Sequence, residues 1–114
     1  MADTENAINF DGYRLDLGAR LLFAPGGNEI DLTTAEFNLL AAFLSRHGQV
    51  LDRDQLMNAV KGRDWEVYDR SVDSLVSRLR RKVPAPDGRS HYIRTVHGIG
   101  YAFSVPSSGF EPPP

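Results

Sequence analysis

Residues Arg70–Val83 read RSVDSLVSRLRRKV, and the rest of the chain is organised around them. The spacing predicts a helix. Val72, Leu75, Val76, Leu79 and Val83 recur at intervals of three and four, which puts them on one apolar stripe. At about 100° per residue, the opposite face carries Arg70, Ser74, Ser77, Arg78 and Arg81. Small hydroxyls allow close approach to a surface, and each arginine presents a planar fork that stays charged. Such a helix suits the major groove of DNA. It equally suits a plain solvated surface, so the flanking chain has to decide.

Upstream, Thr33 and Glu36 have the spacing of a capping box, with Leu32 and Phe37 as its hydrophobic staple. Phe37, Leu40, Ala41 and Leu44 then form the inner stripe of a first helix, which Gly48 ends. Asp52 and Gln55 repeat the device, with Leu51 and Leu56 as the staple, and open a short second helix over Arg53–Val60. That helix stops at Lys61-Gly62. A loop over Arg63–Asp69, holding Trp65 and Tyr68, leads into the Arg70–Val83 helix, which Pro84 and Pro86 end. His91–Val105 reads as a hairpin: Tyr101, Phe103 and Val105 alternate on its second arm, and Gly98 and Gly100 relieve the tip. Before the helices, Ile8, Phe10, Tyr13, Leu15 and Leu17 alternate around Asp11-Gly12. Leu21-Leu22-Phe23 and Ile30 with Leu32 flank the turn signal Pro25-Gly26-Gly27-Asn28. The expected fold is α+β: a small N-terminal antiparallel sheet, three helices and a C-terminal β-hairpin, together a winged helix-turn-helix. Residues 8–105 form the single domain, 1–7 a flexible start and 106–114 a Pro/Ser-rich disordered tail.

Composition narrows the function. The chain has 114 residues, 41% of them hydrophobic and 25% charged, which is ordinary for a soluble globular domain. It has no cysteine, so disulfide and thiolate chemistry are excluded. The start MADTENA is no signal peptide and no run is apolar enough to span a membrane, so a cytoplasmic protein is expected. His47, His91 and His97 have no metal-ligand spacing, and neither a P-loop nor GxSxG is present. No enzyme, metal or cofactor is therefore expected. The net charge of −2 hides a division: Met1–Asp69 has six Lys and Arg against twelve Asp and Glu, whereas Arg70–His97 has seven against two. A basic stretch on an acidic body marks an interaction face of one sign.

Three segments resemble the OmpR/PhoB-type effector domain of bacterial two-component response regulators: LTTAEFNLLAAFLSRHGQVLDRDQL, RSVDSLVSRLRRKV and IRTVHGIGYAF. The resemblance extends from Ile8 to Val105. It implies sequence-specific binding of duplex DNA, with Arg70–Val83 as the recognition helix in the major groove and the wing around His97 at the minor groove. By position, Ser74, Leu75 and Arg78 would approach bases. Arg70, Ser71, Ser77, Arg80, Lys61, Thr95 and Tyr101 would meet phosphates. Several alternatives stay open. Leu75 lies on the apolar stripe and serves either the core or a thymine methyl. Arg80 lies beside Asp73 and either pairs with it or meets DNA. His97 stands where family members often have Arg or Lys, and is either a pH-dependent minor-groove contact or a solvated side chain. Arg81 is outward but matches no family contact. Trp65 and Tyr68 either touch RNA polymerase or a second protomer, or pack on the domain. The resemblance further implies a monomer in solution that pairs head to tail on direct repeats, and a bacterial, nucleoid-associated setting. No receiver domain is recognisable in the chain. The alternative function is a winged-helix protein-interaction module with little DNA affinity.

Overall fold

The computed structural model describes residues 7–61, 72–85, 92–105 and 110–111, with backbone alone for Lys61, Phe110 and Glu111. In chain order the elements are β1 (Ala7–Phe10), β2 (Tyr13–Asp16), β3 (Leu21–Phe23), β4 (Glu29–Ile30), α1 (Thr34–Ser45), β5 (Val50–Asp52), α2 (Arg53–Lys61), α3 (Val72–Lys82), β6 (Ile93–Val96), β7 (Gly100–Phe103) and β8 (Phe110–Glu111). They fall into two compact units, divided after Thr33 and before Val105.

The first unit is an antiparallel sheet in the order β4-β3-β2-β1-β8. Its register sets Ile8 opposite Leu15, Phe10 opposite Tyr13, and Leu15 opposite Leu22, and all five side chains are buried. Period-two alternation therefore collects them on one face. The rings of Phe10 and Tyr13 stack with centroids 5.2 Å apart. Between β1 and β2 the chain reverses through Asp11 and Gly12, with φ of 51° and 91°. Two consecutive left-handed residues are what a two-residue hairpin of type I′ needs, and Asp-Gly supplies them at little cost.

Both ends differ from expectation. Ala7 already belongs to β1, and Phe110 and Glu111 pair with β1 opposite Phe10 and Asn9, inside the stretch expected to be a disordered tail. An unpaired β1 edge offers backbone N–H and C=O groups that a short proline-free dipeptide can satisfy.

The second unit holds α1, α2, α3 and the sheet β5-β7-β6. Leu39, Leu40, Phe43 and Leu44 of α1, Leu56 and Val60 of α2, and Val72, Leu75, Val76 and Leu79 of α3 are all buried. Phe103 of β7 completes this core, its ring centroid 6.0 Å from Phe43 and 5.6 Å from Tyr92. The second capping box forms as expected: Asp52 N donates to Gln55 Oε1 at 2.9 Å, and Gln55 N donates to Asp52 Oδ1 at 2.8 Å. Strand β5 was not expected. It is only three residues long, and its partner β7 lies far along the chain, so no local pattern marks it. It pairs Leu51 with Tyr101 and Asp52 with Gly100, and so joins the start of α2 to the wing.

Leu75 requires a correction. It is 1% exposed and lies in the core of the helical unit, so it has no surface to offer a thymine methyl. Its place on the apolar stripe outweighs its place in the resemblance.

Gly100 is constrained by close approach. A Cβ there would lie 2.0 Å from the Leu51 carbonyl oxygen. Gly100→Ala is expected to lower stability by about 1–3 kcal/mol through overpacking against backbone, and Leu75→Ala by about 2–5 kcal/mol through a cavity. Thermal and urea unfolding check both.

Candidate nucleic-acid interface

The polar residues of α3 divide three ways, according to what packs beside them. Ser74, Ser77 and Arg81 are exposed. Arg78 and Lys82 lie on the flank toward α1, where both meet Glu36. Asp73 and Arg80 lie on the opposite flank, toward the wing formed by β6, β7 and their turn.

Arg80 clamps helix to wing. Its Nη2 donates to the Ile93 carbonyl at 2.8 Å and to Thr95 Oγ1 at 3.1 Å, and its Nε donates to the same carbonyl at 3.2 Å. The pairing with Asp73 left open by the sequence does not form. Asp73 instead accepts from the Tyr101 hydroxyl and pairs with Arg53 Nη1 at 3.1 Å. Hydroxyl chemistry then separates two of the expected phosphate contacts. Thr95 accepts from Arg80, which leaves its own O–H to donate outward. Tyr101 is 6% exposed and gives its O–H to Asp73, so it has no second hydrogen for a phosphate oxygen.

Arg53 is a residue that sequence reasoning missed. It opens α2, is well exposed, and places its guanidinium 6.0 Å from the centroid of the Tyr101 ring. One signal was available. A cation in the first turn runs against the helix dipole, which calls for an acid elsewhere to hold it. Arg94 on β6, exposed on the wing, was likewise not singled out.

His97, Gly98 and Ile99 form the wing turn. Ile99 N donates to the Val96 carbonyl at 3.0 Å, and Gly98 has φ +81°, as the third position of a type II turn requires. His97 is exposed at this tip and Ile99 is 57% exposed beside it. Between the turn and α2 lies an open groove of about 290 Å³, lined by Arg53, Thr95, His97 and Tyr101 among others. Arg70, Ser71, Trp65 and Tyr68, and the side chain of Lys61, lie outside the described residues.

The hydrogen bond from Tyr101 and the Arg53 guanidinium hold the Asp73 carboxyl below its ordinary range. Burial and then the Asp73 carboxylate raise the Tyr101 phenol above its own. A carboxyl that ionises at lower pH in the folded chain than in the unfolded one stabilises the fold above the ordinary carboxylate range. That contribution disappears as pH falls through the folded value. Asp73→Asn is expected to lower stability near neutrality and to flatten its decline on acidification. Urea unfolding from about pH 7 down to about pH 2 measures both effects.

Comparison with known proteins places this arrangement. Residues 27–103 match the family model described as "Transcriptional regulatory protein, C terminal". The regulatory protein VirG of Agrobacterium tumefaciens is 48% identical over 96 residues, covering 84% of this chain and 36% of VirG. The transcriptional regulatory protein AruR of Pseudomonas aeruginosa is 46% identical over 99 residues, covering 87% of this chain and 41% of AruR. The chain thus spans about two fifths or less of these curated relatives. Among solved structures, the DNA-binding domain of Klebsiella pneumoniae RstA, in complex with the RstA box, has TM-score 0.70 and 34% identity over 86% of this chain and 96% of its own. The DNA-binding domain of Escherichia coli CpxR has TM-score 0.72 and 31% identity over 87% of this chain and 96% of its own. The chain therefore belongs to the family of C-terminal domains of transcriptional regulatory proteins, as a winged-helix DNA-binding domain of the OmpR/PhoB response-regulator type.

Proposed function

We propose that α3 enters the major groove of duplex DNA and reads sequence there, while the wing turn reaches the adjacent minor groove through His97. The family is one of transcription-regulator domains, so the chain is a binding module and not an enzyme. The observation that carries the reading is the exposed polar face of α3, with Ser74, Ser77 and Arg81 outward and Arg78 on the flank beside them, next to a wing tied to the same helix. The guanidinium of Arg78 binds guanine O6 and N7 as a fork, and Ser74 approaches the neighbouring base. Phosphates are met by Ser77, Arg81, Arg94, Arg53 and the Thr95 hydroxyl, and also by Arg70, Ser71 and Lys61. Arg80 and Tyr101 act behind the surface, as supports for the wing.

The RstA DNA-binding domain forms a complex with the RstA box, and the partner of this chain is a duplex DNA site. The site is a direct repeat filled by two chains head to tail, the segment holding Trp65 and Tyr68 touches RNA polymerase or the second chain, and the chain serves as the output part of a two-component regulator. The family match favours this reading over a protein-docking module.

Selection of bound sites from random duplex DNA at two salt concentrations tests the proposal. A defined repeat with salt-dependent affinity is the expected outcome; salt-independent binding, or no enriched site, would overturn it. Arg78→Ala is expected to relax preference at one base pair, losing about 1–3 kcal/mol of discrimination. Arg81→Ala is expected to weaken all duplexes alike and to reduce the salt slope by about one.

A further inference from the structure

Glu36 lies in the first turn of α1 and is fully buried, with 0% exposure. An ionised carboxylate taken out of water needs cations close by. Among the described residues two are present, both from α3: Lys82 Nζ donates to Oε1 at 2.7 Å, and Arg78 Nη1 stands 3.9 Å from Oε2. Arg78 and Lys82 are one turn apart on the same flank, where two cations alone would repel each other. A shared acid behind them removes that repulsion.

The two distances differ in a way that matters. Lys82 takes the short, hydrogen-bonded contact. Arg78 is close enough to be oriented by charge but lies beyond hydrogen-bond distance, and its side chain remains 36% exposed. A long arginine side chain loses considerable rotamer freedom when it makes a two-pronged contact with a base. An acid fixed in the core reduces that loss by holding the guanidinium near its working position before DNA arrives.

We propose that Glu36 and Lys82 are positioning residues for DNA reading. Glu36 orients the Arg78 fork from inside the domain, and Lys82 satisfies the acid so that Arg78 is not captured by it. Two residues behind the reading surface thereby set how sharply one base pair is discriminated. This rests on Arg78 being a base reader. It differs from a purely structural ion cluster, which would change the folded fraction and leave the preference for one base over another untouched.

The test uses the full chain with the duplex it selects and the three variants of that duplex at the base pair assigned to Arg78. The readout is the ratio of affinities between duplexes, which cancels any change in the amount of folded protein. Glu36→Gln is expected to reduce this ratio by about three- to tenfold, a part of what a bidentate contact provides, with no loss of affinity for unrelated duplexes. Lys82→Met keeps the aliphatic stem, leaves Arg78 as the nearest cation among the described residues, and is expected to reduce the ratio similarly; it decides the matter if the Glu36 variant does not fold. Unchanged ratios in the folded variants would overturn the inference. If Arg78→Ala itself leaves every ratio intact, the base-reading role and this inference fall together. If Arg78→Ala removes the preference and the other two do not, only this inference falls.

Discussion

The donation of Arg80 to a single backbone carbonyl, that of Ile93, fixes the relation on which the rest of the interface depends. Two N–H groups of one guanidinium converge on an oxygen at the start of the wing, and a third contact goes to Thr95. Hydrogen bonds from a charged donor are shorter and stronger than neutral ones, and the planar fork resists rotation. Two turns earlier on the same flank of α3, Asp73 accepts from Tyr101 on the other wing strand. The helix is therefore strapped to the hairpin at both ends, and the wing turn is held at a set distance from the exposed face.

This economy of contacts also explains how an acidic chain presents a basic surface. Asp73 binds Arg53 and Tyr101, and Glu36 lies in the core with Lys82 and Arg78. Glu36 is fully buried behind its cations, and the exposed Asp73 is paired with Arg53. Their charges act at short range on neighbouring arginines and lysine, while Arg81, Arg94 and the open sides of Arg53 and Arg78 face outward. The orientation of α3 agrees with its dipole, since Asp73 occupies the first turn and Arg80, Arg81 and Lys82 the last.

Much of this was legible in the sequence because the relevant signals are local. Apolar spacing gave the buried stripe of α3, Asp52 and Gln55 gave a cap whose two hydrogen bonds both form, and Asp11-Gly12 gave a turn with two left-handed residues. Each signal operates within a few residues, so physical chemistry at that range decides it. Strand β5 and the pairing of β8 were not legible, because a two- or three-residue strand is stabilised by a partner and not by its own pattern. Leu75 shows how periodicity can outrank resemblance: the stripe marked it as apolar, and burial confirms the stripe.

The sequence alone determined the order of the helices, the amphipathic helix with its concentration of positive charge, and the hairpin that follows it, since these depend on spacing and composition. The tertiary structure alone decided the work of each polar side chain on that helix. Seen along the sequence, Ser74, Ser77, Arg78, Arg80, Arg81 and Lys82 differ only by their angle around an axis. What distinguishes them is what lies beside each angle: the Ile93 carbonyl for Arg80, the buried Glu36 for Lys82 and Arg78, and solvent for Arg81. The Ile93 carbonyl and Glu36 come from segments distant in the chain, and only packing brings them beside the helix.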